Sequence, residues 1–444
     1  MKLNENQQQV IDLLLSDKNV IMIGKAGTGK TMVINELTKV CEQKKIALIK
    51  MASTGVAAQH IEGVTLHSAM ALDIAPMQRQ KKDWPKLRGR IKGSVREIME
   101  SYDKTIMVID EVSMIRADLL DAFLDKISYI SYGDITVLLA GDVAQLEPIS
   151  VITQKGINQD AEAQSRLFTA MDVAYGSSAP FFFKANLLKQ FSFRKVELTH
   201  VYRQKDAASI AALNIIRSPL PTQRRQVINW VGNNKRKIPL SMINRGSLVL
   251  CPTNKGAKQY NEMMLAGLKG KMWHYQVPEG IDMGKSTFHR HLILRPGAVV
   301  MLLSNIPEFN LHNGQRGVVK ELSKESVLVT FEGGDYLINR GEYGTPSYGM
   351  DKDNNIKLLF SNRFEQIPLV LGWAVTIHKS QGTQAKHVHL LNREPLTGKR
   401  IPLYGRGTLY VAVSRCTNLK NFTVSEAITA SDFNVGMSDF NLSE

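Results

Sequence analysis

Cysteine is scarce in this chain: Cys41, Cys251 and Cys416 stand far apart in 444 residues, with no C-x-x-C pair. That excludes a disulfide framework and a zinc ribbon, and it fits a reducing compartment. Long apolar runs are missing too. The longest near-apolar stretch, IPLVLGWAVTI from Ile367 to Ile377, is broken by Pro368 and Gly372. It falls far short of the roughly 18–20 residues that a membrane span needs. The opening MKLNENQQQVIDLLL has no charged segment followed by an apolar one, so it is not a secretory signal. No internal repeat or low-complexity tract is visible. A soluble, intracellular protein without a membrane partner is expected. Acids are the minority charge, 41 Asp and Glu against 56 Lys and Arg, for a formal net charge of +15. Such a surface favours polyanions, either nucleic acid or an acidic membrane, although a soluble protein that is merely basic shows the same balance.

Hydrophobic residues make up 43% of the chain and charged ones 22%, so it can bury sizeable cores. The length fits roughly two to four domains. A helix is expected over Gln7–Leu15, followed by a short apolar strand at Asn19–Ile23, a Gly-rich turn and another helix. Further strands are expected at Ile46–Met51, Ile106–Ile109 and Ile135–Ala140. Continuous apolar runs alternating with helical patterns are what a parallel sheet covered on both faces requires. After Pro148 the texture becomes mixed and polar, and a new block begins near Val196. There Ser247–Cys251 reads as a strand and Asn254–Gly267 as a helix. Arg295–Phe331 shows short β-branched runs separated by Pro-Gly and Asn-Gly turns, the pattern of a small antiparallel barrel. Buried-strand texture returns at GWAVTI and LYVAVS. The expected architecture is two α/β domains, 1–195 and 196–444, with an all-β module inserted at about 271–365.

Three segments carry chemistry. Gly24–Thr31 reads GKAGTGKT and matches G-x-x-x-x-G-K-[ST] between a predicted strand and a predicted helix. The amides of Gly24, Ala26, Gly27, Thr28 and Gly29 can close around phosphates, Lys30 can reach the β/γ oxygens, and Thr31 can ligate Mg²⁺. A dinucleotide fingerprint is excluded, because Met32 stands where its third glycine belongs. MVIDEVSM (107–114) ends an apolar strand in Asp110 and Glu111. Asp110 would hold the Mg²⁺ shell and Glu111 would polarise water, whereas alone such a pair is more often a solvated strand end. GDVAQL (141–146) also follows a strand. Its Gln145 can orient water beside a γ-phosphate, and by itself the segment also reads as a polar turn. Together the three indicate an ATPase with ATP and Mg²⁺ as cofactors.

ELTHVYRQKD (197–206), TIHKSQG (376–382) and LYVAVSRC (409–416) resemble the later motifs of superfamily 1 helicases. In particular they resemble the Petite Integration Frequency (PIF) family of superfamily 1B, in the branch shared with RecD-like enzymes. LNENQ at 3–7, STGVAA at 53–58, GVTLHS at 63–68 and CPTN at 251–254 extend the likeness in family order. The resemblance implies two RecA-like P-loop NTPase domains, a small wedge insertion in the first at about 70–100, and an SH3-like insertion in the second. It implies that Gln7 reads the adenine edge and Tyr202 stacks on the base. Arg203 and Arg415 would reach the γ-phosphate from the second motor domain, and Gly382 would line the ATP cleft. Thr54, Gly55 and His67 would contact nucleic acid on the first domain; Asn254, His378 and Lys379 would do so on the second. The basic stretch Gln78–Arg96, with Trp84, sits where relatives place a wedge and is expected to contact the strand.

The resemblance further implies an ATP-dependent helicase moving 5′-to-3′ on single-stranded DNA and unwinding duplex or fork DNA. Replication, recombination, repair or telomere maintenance would be its setting, and a monomer its working form. One departure is Glu147 in Glu147-Pro148, where the family commonly has two prolines; it bears on coupling between ATP and DNA. Little precedes Gln7 or follows Arg415, so the chain resembles a bare helicase core. Two other readings use the same motifs: an ATP-gated clamp on single-stranded nucleic acid that does not unwind processively, and an RNA motor.

Overall fold

The computed structural model describes residues 3–72, 89–130, 133–148, 161–176, 180–204, 206–217, 225–226, 228, 247–283 and 286–432. Most of the expected wedge, and the stretch 78–88 with Trp84, lie outside the described residues. The chain forms two compact units. Met1–Arg203 is joined in the first by Ser347–Leu359, and the second holds Gln204–Pro346 and Phe360–Val435. Among the described residues no helix is long and apolar enough to cross a membrane.

The first unit starts with α1 (Glu5–Leu15), two residues earlier than the expected Gln7. Asn4 accepts the Gln7 N–H and the Gln7 side chain accepts the Asn4 N–H, a capping box that fixes the helix start. β1 (Val20–Gly24), α2 (Lys30–Lys44), β2 (Ala47–Ala52), α3 (Gly55–His60), β3 (Val64–Thr65) and α4 (Leu66–Ala69) follow. Then come α5 (Gly93–Ser101), β4 (Lys104–Asp110), α6 (Ala117–Tyr129), β5 (Asp134–Gly141), α7 (Ala161–Tyr175) and β6 (Arg194–Leu198). The strands form one parallel sheet in the order β3-β2-β4-β5-β1-β6.

Alternate residues of each inner strand serve opposite faces, as the pleat requires. Ile21, Ile49, Met107 and Leu139 pack with Leu120, Phe123 and Leu124 of α6. Val20, Met22, Ile106 and Leu138 pack instead with Val10 and Leu14 of α1 and with Val33, Ile34 and Leu37 of α2. Both faces are covered, so the inner strands need unbroken apolar sequence. Truncating one fully buried side chain such as Phe123 to Ala costs about 3–5 kcal/mol on this account.

The expected boundary at 195–196 cuts through β6, which pairs with β1 from Val20↔Arg194 to Gly24↔Leu198. β6 is an edge strand with only Val196 and Leu198 buried. Its alternating, half-polar sequence therefore reads as a change of texture although it belongs to the first sheet.

In the second unit α8 (Ala207–Arg217) precedes β7 (Leu248–Cys251) and α9 (Asn254–Ala266). β8 (Trp273–Gln276) and β9 (His291–Leu294) pair as a two-stranded sheet. The antiparallel module comprises β10 (Val299–Leu302), β11 (Arg316–Leu322), β12 (Ser326–Phe331) and β13 (Gly334–Asn339), followed by the pair β14 (Gly341–Met350) and β15 (Ile356–Gln366). β16 (Leu369–Leu371) returns to pair with β10, giving the order β13-β12-β11-β10-β16. β17 (Ala374–Thr376), β18 (Val388–Leu390), α10 (Thr408–Ser414) and β19 (Phe422–Val424) complete a parallel sheet in the order β17-β7-β18-β19.

Two expectations about this half need correction. The insertion does not fill 271–365 as one block: β16 lies beyond it, and Ser347–Leu359 belongs to the first unit. There the Tyr348 hydroxyl donates to the Lys50 carbonyl at 2.8 Å and accepts the Lys50 N–H at 2.6 Å. LYVAVS forms helix α10, not a strand. All seven residues of α10 are buried, and a short helix apolar all round carries no period that distinguishes it from a buried strand.

Candidate functional site

In the first unit the parallel order β4-β5-β1 brings three strand ends side by side on one edge of the sheet. The phosphate-loop motif leaves β1, Asp110 ends β4, and Asp142 follows β5. The loop requires glycine at two left-handed positions, Gly27 with φ 84° and Gly29 with φ 85°. A Cβ on Gly27 would stand 2.5 Å from the Cβ of Arg203, and one on Gly29 would stand 2.7 Å from Nε2 of Gln7. Gly24 ends β1, Ala26 is buried, and buried Thr28 donates its hydroxyl to the Lys25 carbonyl. Lys30 opens α2 and donates through Nζ to the carbonyls of Gly24 at 2.7 Å and Lys25 at 3.2 Å. Thr31 is exposed on the first turn of α2.

Gln7 and Tyr202 close on this loop from two sides. Gln7 is fully buried, and its Nε2 donates to the Thr28 carbonyl at 3.1 Å. Tyr202 donates its backbone N–H to the Gly27 carbonyl at 2.8 Å, while its hydroxyl accepts from Asn4 Nδ2 at 3.0 Å. The Tyr202 ring is 40% exposed and meets His200 edge-on at 4.4 Å. Arg203 belongs to the same unit as the loop it approaches, contrary to the assignment of this residue to the second domain. The reason is β6, which carries the chain from β1's flank directly back to Gly27.

Burial lowers the pKa of the Lys30 ammonium, and the charge of Arg203 adds to that; Asp142, Glu111 and Asp110 oppose it. Burial raises the pKa of the Asp110 carboxyl, while the Glu111 N–H, donated at 2.9 Å, and the charge of Lys30 act in the other direction. Glu111 sits at a left-handed φ of 50° immediately after the strand. Such a conformation in a non-glycine residue is costly and is found disproportionately at functional sites. Gln145 is buried and donates its N–H to the Asp142 carbonyl at 3.0 Å. Asp142 itself was missed by sequence reasoning. It is fully buried, accepts the Ala144 N–H at 3.1 Å, and is first among the acids whose charge acts on Lys30. The signal was available, because Asp142 follows an apolar strand as Asp110 ends one.

The donor set at this edge, the Thr31 hydroxyl and the Asp110 carboxylate, consists of hard oxygens. Among the described residues no cluster of three or more His, Cys, Asp or Glu is placed to hold a metal ion. That donor chemistry fits Mg²⁺, which binds through one or two protein oxygens plus substrate phosphates. A buried carboxylate with a raised pKa also gains from a neighbouring cation.

On the same edge Thr54 follows β2 and caps α3, accepting the Ala57 N–H at 3.2 Å. Gly55 opens α3 with nothing within 4 Å of a would-be Cβ. His67 lies in α4 after β3, the parallel neighbour of β2. In the second unit Asn254 is exposed at the start of α9, whose cap is Thr253. His378 and Lys379 are exposed just beyond β17, and Gly382 takes a φ of 80°. Arg415 is buried, donating to the carbonyls of Val411, Ser380 and Thr383 and to the Ser414 hydroxyl. Arg415 and the Gly382 turn are therefore brought together. Glu147 is half-buried.

Comparison with known proteins places this geometry. A family model described as PIF1-like helicase matches residues 2–174, and one described as UvrD-like helicase C-terminal domain matches residues 371–419. ATP-dependent DNA helicase PIF1 of Danio rerio is 28% identical over 451 residues, covering 96% of this chain and 61% of the relative. The chain thus spans less than two thirds of that relative's length. A crystal structure of Bacteroides sp Pif1 in complex with ADP-AlF4 has a TM-score of 0.76 at 28% identity, covering 98% of this chain and 94% of that one. Bacteroides Pif1 bound to ssDNA has a TM-score of 0.65 at 27% identity, covering 97% and 93%. The likeness extends over both units, and over nearly its whole length the chain is similar to PIF1-like helicases.

Proposed function

We propose that this chain is an ATP-dependent DNA helicase that moves 5′-to-3′ on single-stranded DNA, as a monomer, inside the cell. The observation that carries the reading is the convergence on one sheet edge of Lys30 with Asp110, Glu111 and Asp142, closed by Gln7, Tyr202 and Arg203. That arrangement suits phosphoryl transfer to water, in which positioning and charge stabilisation do nearly all the work. Lys30, held to the carbonyls of Gly24 and Lys25, exchanges them for β/γ-phosphate oxygens. Glu111, beside Asp110 and facing the cationic Lys30, accepts a proton from the attacking water. Gln145 orients that water, and Arg203 stabilises charge on the transferred group. Gln7 and Tyr202 hold the base. Thr31 and Asp110 would hold Mg²⁺, whose charge, when bound, neutralises the phosphates. The complexes of Bacteroides Pif1 with ADP-AlF4 and with ssDNA support the nucleotide and the strand as ligands here.

Thr54, Gly55 and His67 on the first unit, and Asn254, His378 and Lys379 on the second, grip the strand. Hydroxyls, amides and lysines hold phosphates without reading sequence, and imidazoles stack on bases. The test is strand displacement on two partial duplexes, one with a 5′ single-stranded tail and one with a 3′ tail, with and without Mg-ATP. Unwinding of the 5′-tailed duplex alone is expected. Unwinding from the 3′ tail would overturn the direction. DNA-stimulated hydrolysis with no unwinding of either would leave an ATP-gated clamp.

A further inference from the structure

We propose that Arg393–Gly407 is a third strand-gripping element of the second unit, in which the Tyr404 ring stacks on a base of single-stranded DNA and Lys399 contacts its phosphates. The proposal rests on the helicase reading above and extends its DNA track. β17, β7 and β18 are parallel neighbours, so their carboxyl ends share one edge. His378 and Lys379 follow β17, and Asn254 follows β7. The segment from Arg393 follows β18 on the remaining flank of β7. Lys255, next to Asn254, binds Glu394 at 2.7 Å and ties the segment to the first turn of α9.

The segment is firmly built yet presents an apolar ring to solvent. Asn392 is buried, donates to the Glu426 carbonyl at 3.0 Å, and accepts the Ile401 N–H on its own carbonyl at 2.8 Å. Leu403 is buried and donates its N–H to Asp432 at 3.0 Å, and Arg400 pairs with the same carboxylate. Thr408 donates its hydroxyl to the Tyr404 carbonyl at 2.7 Å. Tyr404 is thus pinned along its backbone while its side chain makes it 71% exposed. Holding a large ring in water on a fixed main chain offers folding nothing, whereas it prepays the ordering cost of a stacking platform.

Charge favours the same occupant. The segment holds Arg393, Lys399, Arg400 and Arg406 against Glu394, which Lys255 and Thr397 engage; Arg393 meets Glu426 and Arg400 meets Asp432, while Lys399 and Arg406 are exposed. Lys399 is exposed beside the turn at Gly398, whose φ is 70° and around which nothing lies within 4 Å of a would-be Cβ. A cationic, aromatic surface continuous with two phosphate-gripping loops fits a nucleic-acid strand.

The experiment compares the parent chain with Tyr404→Ala, Tyr404→Trp and Lys399→Ala, using a fluorescein-labelled oligo-dT in anisotropy titrations across a salt series. A second oligonucleotide carrying 5-iododeoxyuridine maps photo-cross-links by peptide mass. Tyr404→Ala should bind about tenfold more weakly, and Tyr404→Trp should bind like the parent. Lys399→Ala should reduce the slope of log affinity against log salt by about 0.7. Cross-links should fall in the peptide containing Tyr404. Parental affinity in Tyr404→Ala, equal losses in the Ala and Trp variants, or cross-links confined to other peptides would overturn the proposal. A parent chain that does not bind the oligonucleotide would overturn the helicase reading itself, and that outcome is distinct from the others.

Discussion

The two parallel sheets of this molecule share a design and differ in charge. In each, functional loops leave the carboxyl ends of neighbouring strands. At the edge of the first sheet one lysine, Lys30, is surrounded by Asp142, Glu111 and Asp110. In the second, Lys379 and Lys258 add to burial in lowering the pKa of His289, and Glu394, the acid tied to the first turn of α9, is engaged by Lys255 and Thr397. The first edge can therefore hold a nucleotide's phosphates together with a cation and a proton acceptor. The second suits phosphates alone, and repeated ones, as a nucleic-acid backbone supplies. Topology sets where the loops lie; the acids decide which edge does chemistry and which holds the track.

The largest effect that separates the edges is expected from Lys30→Ala. Losing the ammonium that meets the β/γ oxygens should lower ATP hydrolysis by about a thousandfold, while affinity for single-stranded DNA survives. Steady-state phosphate release and oligonucleotide anisotropy, measured on the same preparation, check both halves. If DNA affinity fell in parallel with hydrolysis, the two edges would not be chemically separate.

A smaller effect is expected from Asp142→Asn. Asn keeps an oxygen for the Ala144 N–H but removes the carboxylate charge that does most to hold a proton on Lys30. Burial already lowers the pKa of that ammonium, so removing the carboxylate lowers it further. Lys30 is charged below its pKa and loses the proton as pH rises through it. The alkaline limb of kcat/KM for ATP should therefore move to lower pH in the variant, with the acid limb in place. An unmoved alkaline limb would mean that Asp142 does not act through Lys30.

Much of this contrast was legible in the sequence. The phosphate loop, Asp110 and Glu111 could be placed because inner strands covered on both faces are written in unbroken apolar residues, which makes their polar ends conspicuous. Asp142 obeys the same rule, but it lies one residue past its strand in a Gly-Asp pair that also reads as a polar turn. The elements misplaced were those whose burial is not periodic in the expected way. β6 is half-exposed at the sheet edge and was read as the start of a new domain, which moved Arg203 to the wrong unit. α10 is buried all round, so LYVAVS looks like a strand. The return of Ser347–Leu359 to the first unit depends on Tyr348 reaching the main chain of Lys50, and no local pattern encodes a contact so distant in sequence.

The smallest expected effect sharpens the comparison from the other side. Lys379 is exposed, and its backbone N–H is donated to Thr376 Oγ1 at 3.2 Å. Lys379→Ala therefore removes a charge without disturbing the turn beyond β17. Each phosphate contact on a single strand contributes about 0.7 to the slope of log affinity against log salt, because it releases condensed counterions. The variant should lose that increment of slope and bind oligo-dT several-fold more weakly at low salt, approaching the parent as salt rises. Lys30→Ala should leave the slope at its parental value, since its charge is spent on nucleotide. Titrations of both variants and the parent across one salt series read the difference directly. A Lys379→Ala slope equal to the parent's would remove the second edge from the DNA track, while an altered slope in Lys30→Ala would extend that track to the nucleotide loop.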